Sequence, residues 1–166
     1  MHQQANDPCH GGVVVHDHEL VLARVLDGTP EQVWKCWTDP ELLKRWFVPA
    51  PWSLASVEVD PRPGGVFNTV MADPDGNRFP NVGVVLAAEP NRLLVTTDAF
   101  TSEWKAAGQP FMIARVELKA TGDGRTEYTA TAAHWSAEAK AQHEAMGFHE
   151  GWGAAADQLN ALLKTL

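Results

Sequence analysis

The stretch from Ser136 to Leu166, SAEAKAQHEAMGFHEGWGAAADQLNALLKTL, decides the fold. Ser136 is a helix N-cap residue, and Glu138 in the following turn suits the positive end of a helix dipole. Ala141, Ala145, Phe148, Trp152, Ala155, Leu159, Leu162 and Leu166 then recur at spacings of four and three, the pattern of one apolar stripe along a helix. A seam between coiled-coil partners would carry Leu or Ile where this stripe carries Ala, Phe and Trp. Gly147, Gly151 and Gly153 also interrupt it, and each costs about 1 kcal/mol inside a helix, so they are expected to allow a bend or a close approach. The reading is a long C-terminal helix lying across a sheet.

The sheet is read immediately upstream. From residue 53 apolar and polar residues alternate: Ala55, Val57 and Val59 against Ser56, Glu58 and Asp60, then Phe67, Thr69 and Met71, then Val82, Val84 and Leu86, then Leu93, Val95 and Thr97. Pro61–Gly65, Asp73–Asn77, Glu89–Asn91 and Thr121–Gly124 carry turn chemistry between these runs. Short turns between successive strands predict an antiparallel meander, so the class is α+β with six to seven strands. In the last two strands, Phe111–Lys119 and Thr126–His134, parity places Met112, Ala114, Val116 and Leu118 inward, with Tyr128, Ala130, Ala132 and His134. Thr129 and Thr131 are expected to face out. Alanines on the sheet opposite alanines on the helix leave volume unfilled if the sheet is curved, and an ordinary core if it is flat.

Toward the N-terminus, a first strand is expected from Val13 to Leu26, after a polar, flexible arm over residues 1–12. Thr29-Pro30 and Asp39-Pro40 each read as an N-cap followed by proline at the first helical position. Two short helices therefore form a corner, packed by Val33, Trp34 and Trp37 and by Leu42, Leu43, Trp46 and Phe47. Residues 13–166 are expected to be one domain. At 166 residues such a domain buries about 70% of its unfolded surface and needs neither disulfide nor metal.

Charge limits the partners. Thirteen Lys and Arg against 21 Asp and Glu give a net charge of −8, with no basic cluster for nucleic acid and no attraction to anionic lipid. Cys9 and Cys36 form no CxxC pair, the N-terminus lacks a signal-peptide pattern, and no run of about 18 apolar residues exists to span a bilayer. A cytoplasmic location follows as an expectation, and a homodimer is compatible with it. GxSxG, P-loop, dinucleotide and HExxH motifs are absent, so no cofactor is expected. His10, His16 and His18 match no established metal-site spacing, and no metal is expected.

Three stretches carry a family likeness: Arg24–Trp34 with Trp37–Pro40 and Leu43–Pro49; Asp60–Gly65 with Asp73–Gly76; and His149–Trp152 leading into Leu159–Leu163. Over residues 18–166 the chain resembles the START-like (SRPBCC) superfamily, in the branch of bacterial homologues of the heat-shock-protein-90 ATPase activator. The resemblance implies a helix-grip fold, with a curved sheet wrapped around the C-terminal helix and an internal cavity between them. It does not imply one activity, because carriers, cyclases and co-chaperones share the fold.

Three functions are then expected in order. The first is binding of a small hydrophobic molecule, with Phe67, Thr69, Met71, Val84, Met112, Tyr128, Phe148 and Trp152 lining the cavity and His134 as its polar group. The plainer role for His134 is a strand-end histidine satisfied by backbone or water. His149 is placed at the cavity border or on the surface. Trp104, with Phe100, is read either as a lid or as a tether of its loop. Arg24 shares parity with Leu20 and Leu22 and is read as a carboxylate ligand or a strand-end ion pair. The second function is a cyclase, dehydratase or hydrolase using His134 or Tyr128 as acid or base. The third is a protein-interaction module such as a co-chaperone.

Overall fold

The computed structural model describes residues 18–166. The expected arm, the start of the first strand, Cys9, His10 and His16 lie outside them. Strand β1 (Glu19–Leu26) is followed by α1 (Pro30–Thr38) and α2 (Pro40–Leu43). Thr29 caps α1 in a full capping box with Gln32, and the Asp39 carboxylate caps α2 through the amides of Glu41 and Leu42. Strands β2 (Ser53–Val59), β3 (Phe67–Ala72) and β4 (Arg78–Asn81) form a three-stranded sheet in the order β2-β3-β4. Strands β5 (Val84–Glu89), β6 (Leu93–Thr97), β7 (Ile113–Ala120) and β8 (Thr126–Ala133) join β1 in a five-stranded antiparallel sheet, ordered β1-β8-β7-β6-β5. Helices α3 (Ala137–Ala145) and α4 (Phe148–Leu163) end the chain. This is the α+β helix-grip architecture.

The two sheets meet edge to edge. Gly64 N donates to Val85 O, Val85 N to Gly65 O and Phe67 N to Gly83 O, at 2.8, 2.8 and 3.1 Å. The strand read through Val82, Val84 and Leu86 begins only at Val84, and β4 is a further strand before Gly83, so the described residues hold eight strands against the six or seven expected. Close packing explains the break. A Cβ on Gly83 would lie 2.7 Å from Thr97 O and 3.2 Å from Phe67 O, so only glycine lets the chain cross between sheets there.

The inner face of the large sheet follows the parity reading. Leu22, Ala130, Val116 and Leu94 are aligned across four strands and all are buried. Thr131 departs from it: although on the outward parity, between Val21 and Arg115 in register, it is only 1% exposed.

The C-terminal stripe is interrupted. Gly147 adopts φ +96°, a left-handed conformation that glycine takes without steric cost, and the helix breaks into α3 and α4. Beyond the break the stripe holds as far as Leu162: Phe148, Ala155 and Leu159 are buried, Trp152 and Leu162 pack against the core, and Leu166, past the end of α4, is exposed. Before it the stripe fails. Ala141 and Ala145 are exposed, and the residue α3 buries is His143. A kink between helices resets the phase, which periodicity carried across Gly147 could not register.

Helix α4 approaches the backbones of β1, α1 and α3. Gln158 locks it to the helical corner: its Nε2 donates to the carbonyls of Trp46 (2.9 Å) and Val48 (2.8 Å), and its Oε1 accepts from Ala50 N (2.9 Å). Beneath that clasp, Trp37 meets Trp46 edge-on at 5.0 Å, and the Trp46 indole N–H donates to Cys36 O at 3.0 Å. Burial pushes the Cys36 thiol up to about 11, which keeps it protonated and inert.

The glycines of the last two helices make a direct test. Gly147→Ala should lower stability by about 1–2 kcal/mol, because its φ is unfavourable to any Cβ. Gly151, where an added Cβ meets nothing within 4 Å, should become more stable by up to about 1 kcal/mol as alanine. Urea denaturation of both variants measures the difference, and equal effects would show that the kink is not held at Gly147.

Candidate functional site

The sheet curves away from α4 and leaves a cavity of about 360 Å³ between them. Its wall is mainly apolar and aromatic, with Trp37, Trp46 and Phe47 from the helical corner, Phe67 and Met71 from β3, and Trp152 from α4. Small residues make the space: Ala130 on β8 and Ala155 and Ala156 on α4 all line it. Asn81 and Val82 are the exposed lining residues, where the cavity reaches solvent.

The residues singled out in the sequence divide into three groups. Phe67, Thr69, Met71, Met112, Tyr128 and Trp152 lie together in the wall. Val84, Phe148 and His134 are buried behind it. Val84 sits where the two sheets join, bridging to Val66. Phe148 supports the wall from the rear, 4.6 Å from Trp152 and 5.2 Å from His143 between ring centroids. His149 and Trp104 lie outside the cavity. The His149 side chain is more than half exposed and 4.0 Å from Glu144, and Trp104 is 58% exposed, packed on Phe100 and over Gly64. Arg24 is exposed too; its guanidinium lies beside Gly153 and donates to Ala23 O.

The sequence reading passed over His143, which is 7% exposed and forms part of the wall. Its ring sits among Phe111 (4.8 Å), His134 (5.0 Å), Phe148 (5.2 Å) and Trp152 (6.0 Å). The available signal was Gly147: restarting the helical phase there leaves α3 free to bury the face bearing His143. Trp37 and Trp46 were read as packing of the helical corner alone, and they also form cavity wall.

Hydrogen bonding assigns both histidine tautomers. His134 Nδ1 lies 2.9 Å from Phe111 O, and a carbonyl can only accept, so Nδ1 carries the proton. The bare Nε2 of a neutral His134 then accepts from His143 Nδ1–H, also at 2.9 Å. His143 Nε2 is left as a lone pair. Both rings are held neutral. Burial lowers His143 to about 4, with His134 adding to the effect, and burial also lowers His134, against the opposing pull of the Phe111 carbonyl and Asp98. The Asp98 carboxylate fastens this end of the cavity by accepting from the amides of Phe111 (2.9 and 3.0 Å) and Met112 (3.1 Å).

At the other end, the Tyr128 hydroxyl makes no hydrogen bond within the described residues. The indole N–H of Trp37, which also lines the cavity, has no hydrogen-bond partner among the described residues. Burial raises the phenol far above its ordinary value, so it remains an O–H donor.

The histidine pair makes stability pH-dependent. His143 has an ordinary value of 6.5 and titrates near 4 when folded, so between these values the unfolded chain binds the extra proton. Its contribution is complete above about pH 6.5 and is lost as pH falls toward 4. The melting temperature should therefore drop between pH 7 and pH 5. His143→Gln, which can still donate to His134 but does not titrate, should show a smaller drop. Equal slopes in calorimetry would contradict the assignment.

Comparison with known proteins agrees with the architecture. The family described as Activator of Hsp90 ATPase homolog 1-like protein matches residues 27–164. A protein of Nitrosomonas europaea is 45% identical, with 92% of this chain and 97% of that one covered, at a TM-score of 0.87. A Rhodobacter sphaeroides protein is 25% identical over 91% of this chain and 95% of its own, at 0.79. An AHSA1-like protein from Aeromonas hydrophila, 21% identical over 89% and 92% at 0.67, shares the fold. No functionally curated protein matches the sequence. With the family profile covering most of the chain and the helix-grip architecture in place, the protein belongs to the Activator of Hsp90 ATPase homolog 1-like family.

Proposed function

We propose that this protein binds a small hydrophobic molecule in the cavity between α4 and the curved sheet. One observation carries the reading: the cavity of about 360 Å³ is walled by aromatic and aliphatic side chains and kept open by small alanines. Its size falls at the lower end of pockets that hold small organic ligands, and a few polar groups converge on it. An open apolar volume is costly to keep empty, because its lining forfeits dispersion contacts that a ligand restores. The acidic surface and the absence of basic residues from the described wall fit a neutral apolar occupant better than a polyanion. A cytoplasmic setting belongs to the same proposal, supported by the buried free thiol of Cys36; no helix of the described residues is long and apolar enough to cross a membrane.

Acid–base catalysis is a weaker reading. His143 would be the base facing the cavity, and a group titrating near 4 is a poor match to proton transfer at neutral pH. A protein-interaction role has one observation in its favour, the Trp52–Phe79 ring pair, about 40% exposed on the three-stranded sheet. One exposed ring pair falls short of the contiguous apolar patch that marks an interface, so the cavity decides the ranking.

Three lining tryptophans, Trp37, Trp46 and Trp152, give the test its readout. Medium-chain alcohols, ketones and alkylbenzenes should shift intrinsic fluorescence and raise the melting temperature, by about 2.7 kcal/mol of added stability at a hundredfold excess over Kd. Ala155→Leu, which fills the cavity, should weaken binding about tenfold or more without loss of folding. No thermal or fluorescence response across that panel would refute the proposal.

A further inference from the structure

A hydrogen-bond relay and a pair of unpartnered donors meet the cavity toward opposite ends of β8, and they present opposite polarity. Tyr128 lies on the inward row of β8 and His134 follows one residue past the end of that strand, six residues or about 20 Å away along an extended chain. At the Tyr128 end two lining donors have no partner among the described residues, the indole N–H of Trp37 and the phenol O–H of Tyr128, which burial keeps un-ionised. Trp46 provides the contrast, because its indole N–H is satisfied by Cys36 O. At the other end the relay starts from Phe111 O, which accepts from His134, and His134 accepts from His143. His143 Nε2 therefore offers an acceptor. One end of the cavity donates and the other accepts.

Charge is excluded between them. Asp98 is the one charged side chain among the described lining residues, and its carboxylate is engaged by two backbone amides. No Lys or Arg lies in the described wall, so a carboxylate in the cavity would lack a counter-charge and would face Asp98. Thr69 and Thr96 add hydroxyls along the sides, which can either donate or accept and so set no polarity. The volume, about 360 Å³, corresponds to about twelve water volumes of ~30 Å³, or a chain of about twelve carbons.

We infer that the cavity selects an uncharged apolar molecule with a carbonyl oxygen at one end, held by Tyr128 O–H, and a hydroxyl at the other, held by His143 Nε2. The inference rests on the cavity being the ligand site. It adds the occupant's chemical class, neutral hydroxy-ketones over fatty acids, and its direction in the site.

Four probes test it in the native protein by tryptophan fluorescence: a twelve-carbon methyl ketone with a terminal hydroxyl, the same ketone without the hydroxyl, the matching hydroxy-carboxylate, and pentylbenzene. The hydroxy-ketone should bind about two- to tenfold tighter than the plain ketone, the range expected for one added hydrogen bond. The carboxylate should bind about tenfold more weakly than the hydroxy-ketone or worse. Tyr128→Phe should weaken both ketones and His143→Phe the hydroxy-ketone alone, each by more than it changes pentylbenzene binding. Should His143→Phe disturb the fold, the comparison of probes in the native chain and in Tyr128→Phe still decides. A carboxylate that binds as tightly as the hydroxy-ketone, or ketones indifferent to Tyr128→Phe, overturns the inference while pentylbenzene binding upholds the cavity as a ligand site. Failure of all four probes, pentylbenzene included, overturns both.

Discussion

The structure depends on α4 being held off the sheet. The helix is fastened along its flank, where Gln158 clasps the carbonyls of Trp46 and Val48, and near its C-terminal end, where Leu159 and Leu163 are buried in the core. At its N-terminal end the bulky Phe148 and Trp152 prop it against the histidine pair. Between these supports stand Ala155 and Ala156, lining the cavity with Ala130. Large side chains at the supports and small ones between them produce a hollow where uniform packing would give a core of ordinary density.

The break at Gly147 is coupled to that arrangement. A continuous helix would carry Ala141 and Ala145 inward with the stripe; the left-handed glycine turns them out and brings His143 in. His143 then meets His134, whose other nitrogen is held by the carbonyl of Phe111, and Asp98 fixes Phe111 and Met112 in turn. A backbone irregularity thus places a neutral imidazole at the cavity wall, and the low polarity of the surroundings keeps it neutral. The cavity's polar character comes from a relay anchored on a backbone carbonyl at one end and unpartnered neutral donors at the other, and neither needs an ionised partner.

Much of this was legible in the chain. The capping signals at Thr29, Asp39 and Ser136 mark helix starts, and each side chain receives the expected backbone N–H groups. Strand parity identified the inner row Tyr128, Ala130, Ala132 and His134, because side chains alternate strictly across a sheet. Six of the residues singled out for the cavity share its wall. His143 was not legible, since its burial depends on the phase of a helix that ends two residues before Gly147. Nor was the split at Gly83, where the obstacle is the carbonyl of Thr97, 14 residues away in sequence.

The sequence by itself determined most of the elements and their order, and the faces buried by α4 and the inner row of β8, because caps, turns and hydrophobic periods are local properties of neighbouring residues. It also determined the absence of basic clusters, and hence the kind of partner the surface disfavours. Tertiary structure alone decided that alanines on β8 and α4 would line one gap, that Trp37 and Tyr128 would share its wall, and that His143 would present a bare nitrogen to the cavity. Those are relations between residues far apart in the chain. They are set by sheet curvature and helix placement, which depend on every contact at once and leave no periodic trace.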